Sequence, residues 1–231
     1  MAVFGRYWDD HLRRIEEGWR ETVRPQDSVL LVGDLSWAMN LQDAAADLQA
    51  IGGLPGRKYL VRGNHDYWWR SSGNHLAEAL PDSMGVLDHR HAAVLDLGGQ
   101  RVGIAGTRGW LTPPFPDGNG NACLTGRQGS GLGWEEHDRI YRRELGRLES
   151  SLGQLNGQVD ALVVALHYPP FSVLLGRTGF TELMERHVAR ICVYGHMHGP
   201  AARRRLEGLV HRIEYYCVSC DVVDFRPVRI L

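Results

Sequence analysis

The chain reads as an α/β protein made of two mixed β-sheets packed as a sandwich and flanked by helices. Three observations lead there. Short apolar runs of strand length recur, among them Val29-Leu30-Leu31-Val32, Tyr59-Leu60-Val61, Leu162-Val163-Val164-Ala165-Leu166 and Ile191-Cys192-Val193-Tyr194. Amphipathic helical stretches alternate with several of them, whereas Gly98-Gly99 joins two runs in the manner of a hairpin. Polar residues of a few kinds follow the runs directly, and the carboxyl ends of strands are where open α/β sheets place their sites.

In chain order, residues 7–22 carry Leu12, Ile15 and Trp19 at helical spacing between charges, so an amphipathic helix is expected. A strand over 29–32 follows, then a helix over 41–51 that Gly52-Gly53 and Pro55 end. Strand 58–61 leads into a short helix over 71–80, stopped by Pro81. Strands are expected over 86–87, 92–97 and 101–106. Residues 112–133 are rich in Gly, Pro and Asn and read as a long loop, a flexible lid or a linker. A helix over 134–152 presents Ile140, Leu145, Leu148 and Leu152 on one side. Strand 160–166, helix 181–189, strand 190–194 and β-rich sequence to the end complete the reading.

Composition narrows the class. At 231 residues the chain suits one domain over 1–231, and 43% hydrophobic with 23% charged residues is ordinary for a soluble globular protein. A formal net charge of -1 offers no electrostatic reason to expect nucleic acid or an acidic membrane surface as partner. No apolar run approaches the roughly 18 residues of a spanning helix. The start, Met1 to Arg6, has neither a basic region nor an apolar one, so no secretory signal is expected. Cys123, Cys192, Cys217 and Cys220 do not make a disulfide framework, and a reducing cytoplasm is the default compartment. Cys217 and Cys220 have C-x-x-C spacing but sit in a strand-like run without a second pair, so a strand position is expected.

The polar residues after the strands form one chemical set. Gly33-Asp34 follows the first run, Gly63-Asn64-His65-Asp66 the second, His167 the third and Gly195-His196-Met197-His198 the fourth. An Asp, an Asn and three His suit first-row divalent metals, because imidazole favours Zn, Fe and Mn while carboxylate and amide oxygens favour harder ions. A carboxylate can bridge two ions, and two ions about 3.5–4 Å apart can clamp a phosphoryl group.

These motifs, in this order and spanning most of the chain, resemble the calcineurin-like metallophosphoesterase superfamily. The surrounding words, Gly33-Asp34-Leu35-Ser36-Trp37-Ala38-Met39 and Asn64-His65-Asp66-Tyr67-Trp68-Trp69, are similar to a bacterial branch of phosphohydrolases in it. The protein-phosphatase branch has an Asp-Arg-Gly continuation that is missing here, which lowers the odds of a phosphoprotein substrate. The resemblance implies two divalent ions (Mn, Fe or Zn), with Asp34 bridging them. It implies that Asn64, His167 and His196 complete one site and that His198 binds the other ion. His65 would protonate the leaving-group oxygen, with Asp66 orienting it or stabilising its charged form. Arg108, after strand 101–106, is a candidate to contact phosphate through its planar fork.

One part of the superfamily pattern is missing, the Asp-x-His motif at the end of a first strand. Asp9-Asp10-His11 contains the letters, but Asp9 falls in the expected helix, where residues two apart point to nearly opposite faces. The expectation is a member shortened at its N-terminus, through a miscalled start or genuine loss. The missing strand would expose strand edges, and the second metal site would be left with Asp34 and His198 alone.

Other residues receive blander readings. Gly73-Asn74-His75 repeats the G-N-H letters inside the 71–80 helix and reads as structural. His137, His187 and His211 read as surface residues, His89 and His91 receive no role, and Trp68-Trp69 reads as core. Pro169-Pro170 after His167 reads as stiffening the site. The expected function is metal-dependent hydrolysis of a small phosphomonoester or diester by metal-activated water. The alternative is an impaired relative that binds a phosphorylated ligand or a protein partner. Membrane association is not expected and a nuclease is disfavoured by the near-neutral charge.

Overall fold

The computed structural model describes residues 5–69, 74–112, 133–155, 157, 159–172 and 175–231. Nine strands form two sheets among them. The smaller is parallel throughout, in the order β1(Ser28–Leu31), β2(Arg57–Leu60), β3(Met84–Val86). The larger has six strands in the order β4(Ala93–Leu97), β5(Gln100–Thr107), β6(Ala161–Leu166), β7(Ile191–Tyr194), β9(Ile213–Cys217), β8(Gly208–Val210). Its centre, β5-β6-β7-β9, is parallel, and β4 and β8 are antiparallel strands at its two edges. The expected strands are all present within a residue or two.

Helices cover the outer face of each sheet. α2(Leu41–Gly52) and α3(Asn74–Ala79) lie over the small sheet, where Leu48, Leu60, Leu76 and Met84 pack with Trp68 and Trp69. The two tryptophans are core residues, as expected. α4(Trp134–Gly153) and α5(Gly179–Arg186) lie over the large sheet, with Leu148, Leu152, Phe180 and Met184 against Val164 and Tyr194. Between the sheets, Val61 and Leu87 meet Val102, Ile104, Val163 and Val193. This is a sandwich flanked by helices.

Local chemistry sets the helix ends. Asn40 accepts from the Asp43 N–H at the start of α2, and Thr178 with Thr181 forms a capping box on α5. Lys58 of β2, fully buried, donates from Nζ to the Gly52 and Leu54 carbonyls at the end of α2, which satisfies two orphan acceptors there.

Three expectations change. α1(His11–Thr22) begins at His11, preceded by a left-handed Asp10 (φ 55°) and a 3-10 turn over Arg6–Trp8, so Asp9 lies outside the helix. His11 Nδ1 lies 2.9 Å from the Trp8 carbonyl, which caps the turn and gives the ring a local partner. His137 is buried, receiving the Trp110 Nε1–H at 3.2 Å. The chain after Cys217 is turn and irregular backbone rather than strand, because Asp224 and Phe225 take positive φ values and Pro227 follows. The expected 112–133 loop lies almost wholly outside the described residues.

β1 is an edge strand, and among the described residues the side away from β2 has no ladder partner. Its apolar residues are accordingly only half-buried. They border a cavity of about 2040 Å³ that runs between the sheets and opens at the site, with Val102, Val193 and Ile230 on its other walls. Among the described residues no helix is long and apolar enough to cross a membrane.

Candidate metal centre

Parallel register brings the motifs together. Leu31 pairs with Leu60 in the small sheet, so Gly33-Asp34 and Gly63-Asn64 leave adjacent strands at the same end. In the large sheet Thr107 pairs with Leu166 and Leu166 with Tyr194, which aligns Arg108, His167 and Gly195. The two sheet ends meet at a close backbone crossing. A Cβ on Gly33 (φ +100°) would stand 2.5 Å from Gly63 Cα and 2.8 Å from His167 Nδ1. One on Gly63 would reach 2.1 Å from Asp34 Oδ1. Only glycine fits at either crossing.

Asp66 holds this junction. Its carboxylate accepts the N–H groups of Asp34, Leu35, Ser36 and Gly63 and the indole N–H of Trp68, at 2.7–3.2 Å. Burial pushes its pKa up, and the N–H donors oppose that shift. Each of these contacts is to the backbone or to Trp68, and none is to the His65 ring. The His65 ring is held instead by Trp37, stacked at 4.1 Å and 12°, and by the Tyr67 hydroxyl, 2.9 Å from Nδ1. Its backbone N–H donates to Asp34 Oδ1 at 2.8 Å.

Asp34, His167 and His196 each offer an atom within 4.8 Å of the others. Asn64 Oδ1 lies 2.6 Å from His167 Nε2, and His196 Nδ1 lies 3.1 Å from the same atom. Protons are short here. The Val32 carbonyl, 2.8 Å from His167 Nδ1, can only accept, so that nitrogen bears the ring's proton. Burial lowers the His167 pKa, opposed by Asp34, and the neutral ring leaves Nε2 bare. Burial and the neighbouring His167 hold His196 well below the ordinary imidazole range. His196 Nε2 is buried and has no hydrogen-bond partner among the described residues. A partly buried group of acceptors that outnumbers its protons suits a cation, and imidazole, carboxylate and amide oxygen suit a first-row divalent ion. Asp34 and His196 also take positive φ (59° and 69°), a strained backbone that the crossing imposes.

His198 lies outside that group of three. Its Nδ1 is 2.7 Å from Asp221 Oδ1, and Asp221 Oδ2 accepts the Gly199 N–H. Burial would push Asp221 up, but the His198 ring and the Gly199 N–H hold its carboxyl below the usual range. Trp8 meets the His198 ring edge-on at 5.3 Å. Asp221 has no motif around it and was not found in the sequence.

Arg108 follows β5 and is drawn toward α4. Its guanidinium lies over Trp110 and 3.8 Å from the fully buried Glu144, which Arg147 and the Thr107 hydroxyl also engage. Asn74 and His75 are the first two residues of α3.

A family model for the calcineurin-like phosphoesterases matches residues 6–200. No curated protein matches the sequence. Among solved structures, the chain is similar in fold to GAP50, the anchor in the inner membrane complex of Plasmodium, with a TM-score of 0.54 at 10% identity. That likeness covers 94% of this chain and 68% of the other. With most of its length matched by that family model, the chain belongs to the calcineurin-like phosphoesterases.

Proposed function

We propose that the protein is a metal-dependent phosphoesterase acting on a small phosphomonoester or diester, with water as the nucleophile. The observation that carries the reading is the partly buried, proton-poor convergence of Asn64, His167, His196 and Asp34. These four would hold one divalent ion (Mn, Fe or Zn), and Asp34 with His198 would hold a second. Bound there, such ions would polarise a phosphoryl oxygen and lower the pKa of water.

The chain's own groups do the rest. His65, with Nδ1 engaged by Tyr67, has Nε2 left to give a proton to the departing alkoxide. Trp37 stacked on the ring keeps it in one orientation. The Asp34 carboxylate, tied to the His65 N–H, couples the position of this acid to the metal-binding crossing.

A second reading, binding of a phosphorylated ligand without turnover, is favoured by His198 standing apart from the group of three. One experiment separates them. The purified chain is loaded with Mn²⁺, its metal content is measured, and hydrolysis of 4-nitrophenyl mono- and diesters is followed. The phosphoesterase reading expects turnover abolished by chelator and lowered about 10²–10⁴-fold in His65→Ala. Bound metal without turnover on either ester would support the second reading.

A further inference from the structure

The wall beside His65 is unusual for a soluble surface. Trp37 is 45% exposed although it is the partner of a close ring stack, and Tyr67 beside it is 38% exposed. Exposed large aromatics that are held rigidly are the informative kind. Trp37 is held. The N–H groups of Leu35 and Ser36 on one side of it are fixed to Asp66, and the Ala38 N–H on the other reaches Ser36 Oγ. One indole face covers His65. Trp37, His65, Asn64 and His196 all line the same cavity.

We propose that Trp37 is a specificity residue, and that the protein selects phosphoesters bearing a planar aromatic ring on the leaving-group side. The inference rests on the phosphoesterase reading only for the position of the leaving group, next to His65. A planar ring there meets the exposed part of the Trp37 indole on the cavity wall. A stack of this kind is worth about three- to tenfold in affinity. The ring can sit directly on the ester oxygen, as in an aryl ester, or one sugar away, as in a nucleoside.

Binding can be read without turnover. Calorimetric titration of the Mn²⁺-loaded protein compares benzylphosphonate with cyclohexylmethylphosphonate, in which a P–C bond replaces the ester. The cyclohexyl compound is the more hydrophobic, so a preference for benzyl reports planarity. The expected result is benzylphosphonate binding about three- to tenfold more tightly. That preference should be lost in Trp37→Leu and largely kept in Trp37→Phe. The 5′-deoxy-5′-phosphonomethyl analogue of adenosine against the corresponding 5-deoxy-5-phosphonomethyl ribose distinguishes the nucleoside arrangement from the aryl one. Equal or reversed affinities in the unaltered protein, no binding of any analogue, or a preference that survives Trp37→Leu would overturn the proposal. Phenyl phosphate hydrolysis is measured beside it. Turnover without ring preference sinks this proposal alone, and ring preference without turnover sinks the phosphoesterase reading alone.

Discussion

Asn64 Oδ1 and His167 Nε2 face each other at 2.6 Å, two acceptors from the ends of different sheets. Neither has a proton for the other while His167 donates through Nδ1 to Val32. In this orientation of the Asn64 amide, a cation between the two atoms turns the contact favourable. Metal should therefore stabilise the fold strongly. At Mn²⁺ a hundredfold above its Kd, linkage adds about 2.7 kcal/mol. A thermal melt with and without metal checks this, and His196→Ala should cancel most of the shift. An unmoved melting temperature would count against the site.

Asp66 should matter more to folding than to proton transfer. Asp66→Ala strands five N–H donors around a buried space, each costing about 1–3 kcal/mol if unmet. Some will find water, so a loss of at least about 3 kcal/mol in urea unfolding is expected. Asp66→Asn, which sets an NH₂ against the same donors, should fall between. A loss below about 1 kcal/mol for Asp66→Ala would show that the junction does not depend on this carboxylate.

Asp221 should orient His198. By holding Nδ1–H it keeps Nε2 as the ligand nitrogen, and outer partners of this kind are worth about 10–100-fold in metal affinity. In Asp221→Ala a competitive chelator titration should show the weaker-binding ion lost by that factor while the tighter one changes little. Equal loss of both would point to general loosening instead.

Stability of the metal-free protein should depend on pH through His167 and His196. Burial pushes both pKa values below the ordinary value near 6.5. The unfolded chain therefore takes up protons that the folded chain refuses. Stability is complete above about pH 6.5 and is lost as pH falls below it, by up to about 1.4 kcal/mol per unit for each ring. His137, lowered by its burial, adds to the same window. Urea midpoints in EDTA between pH 7.5 and 5.5 should fall accordingly, with a shallower fall in His196→Gln.

Much of this was readable in advance because periodicity and position are local properties. Val29 to Val32, Tyr59 to Val61 and Leu162 to Leu166 are strands because alternating or continuous apolar residues of that length pack on sheets. The residues directly after them gather at one edge because parallel strands all end on the same side. The roles of Asp66 and Arg108 were not readable. Asp66 follows His65 in the chain, but what it accepts is decided by four backbone groups that a crossing brings within reach. Arg108 follows a strand as a phosphate ligand would, yet Glu144 on α4 is buried beside it and claims its charge.

The order of the motifs and the strands before them, and so the family, follow from the amino-acid sequence by itself. Which side chain touches which was decided only by the tertiary structure. Trp37 on His65 and Asp221 on His198 join residues with no spacing rule between them. Such pairs are fixed by how two sheets and their helices fill space, and that packing is a property of the whole chain.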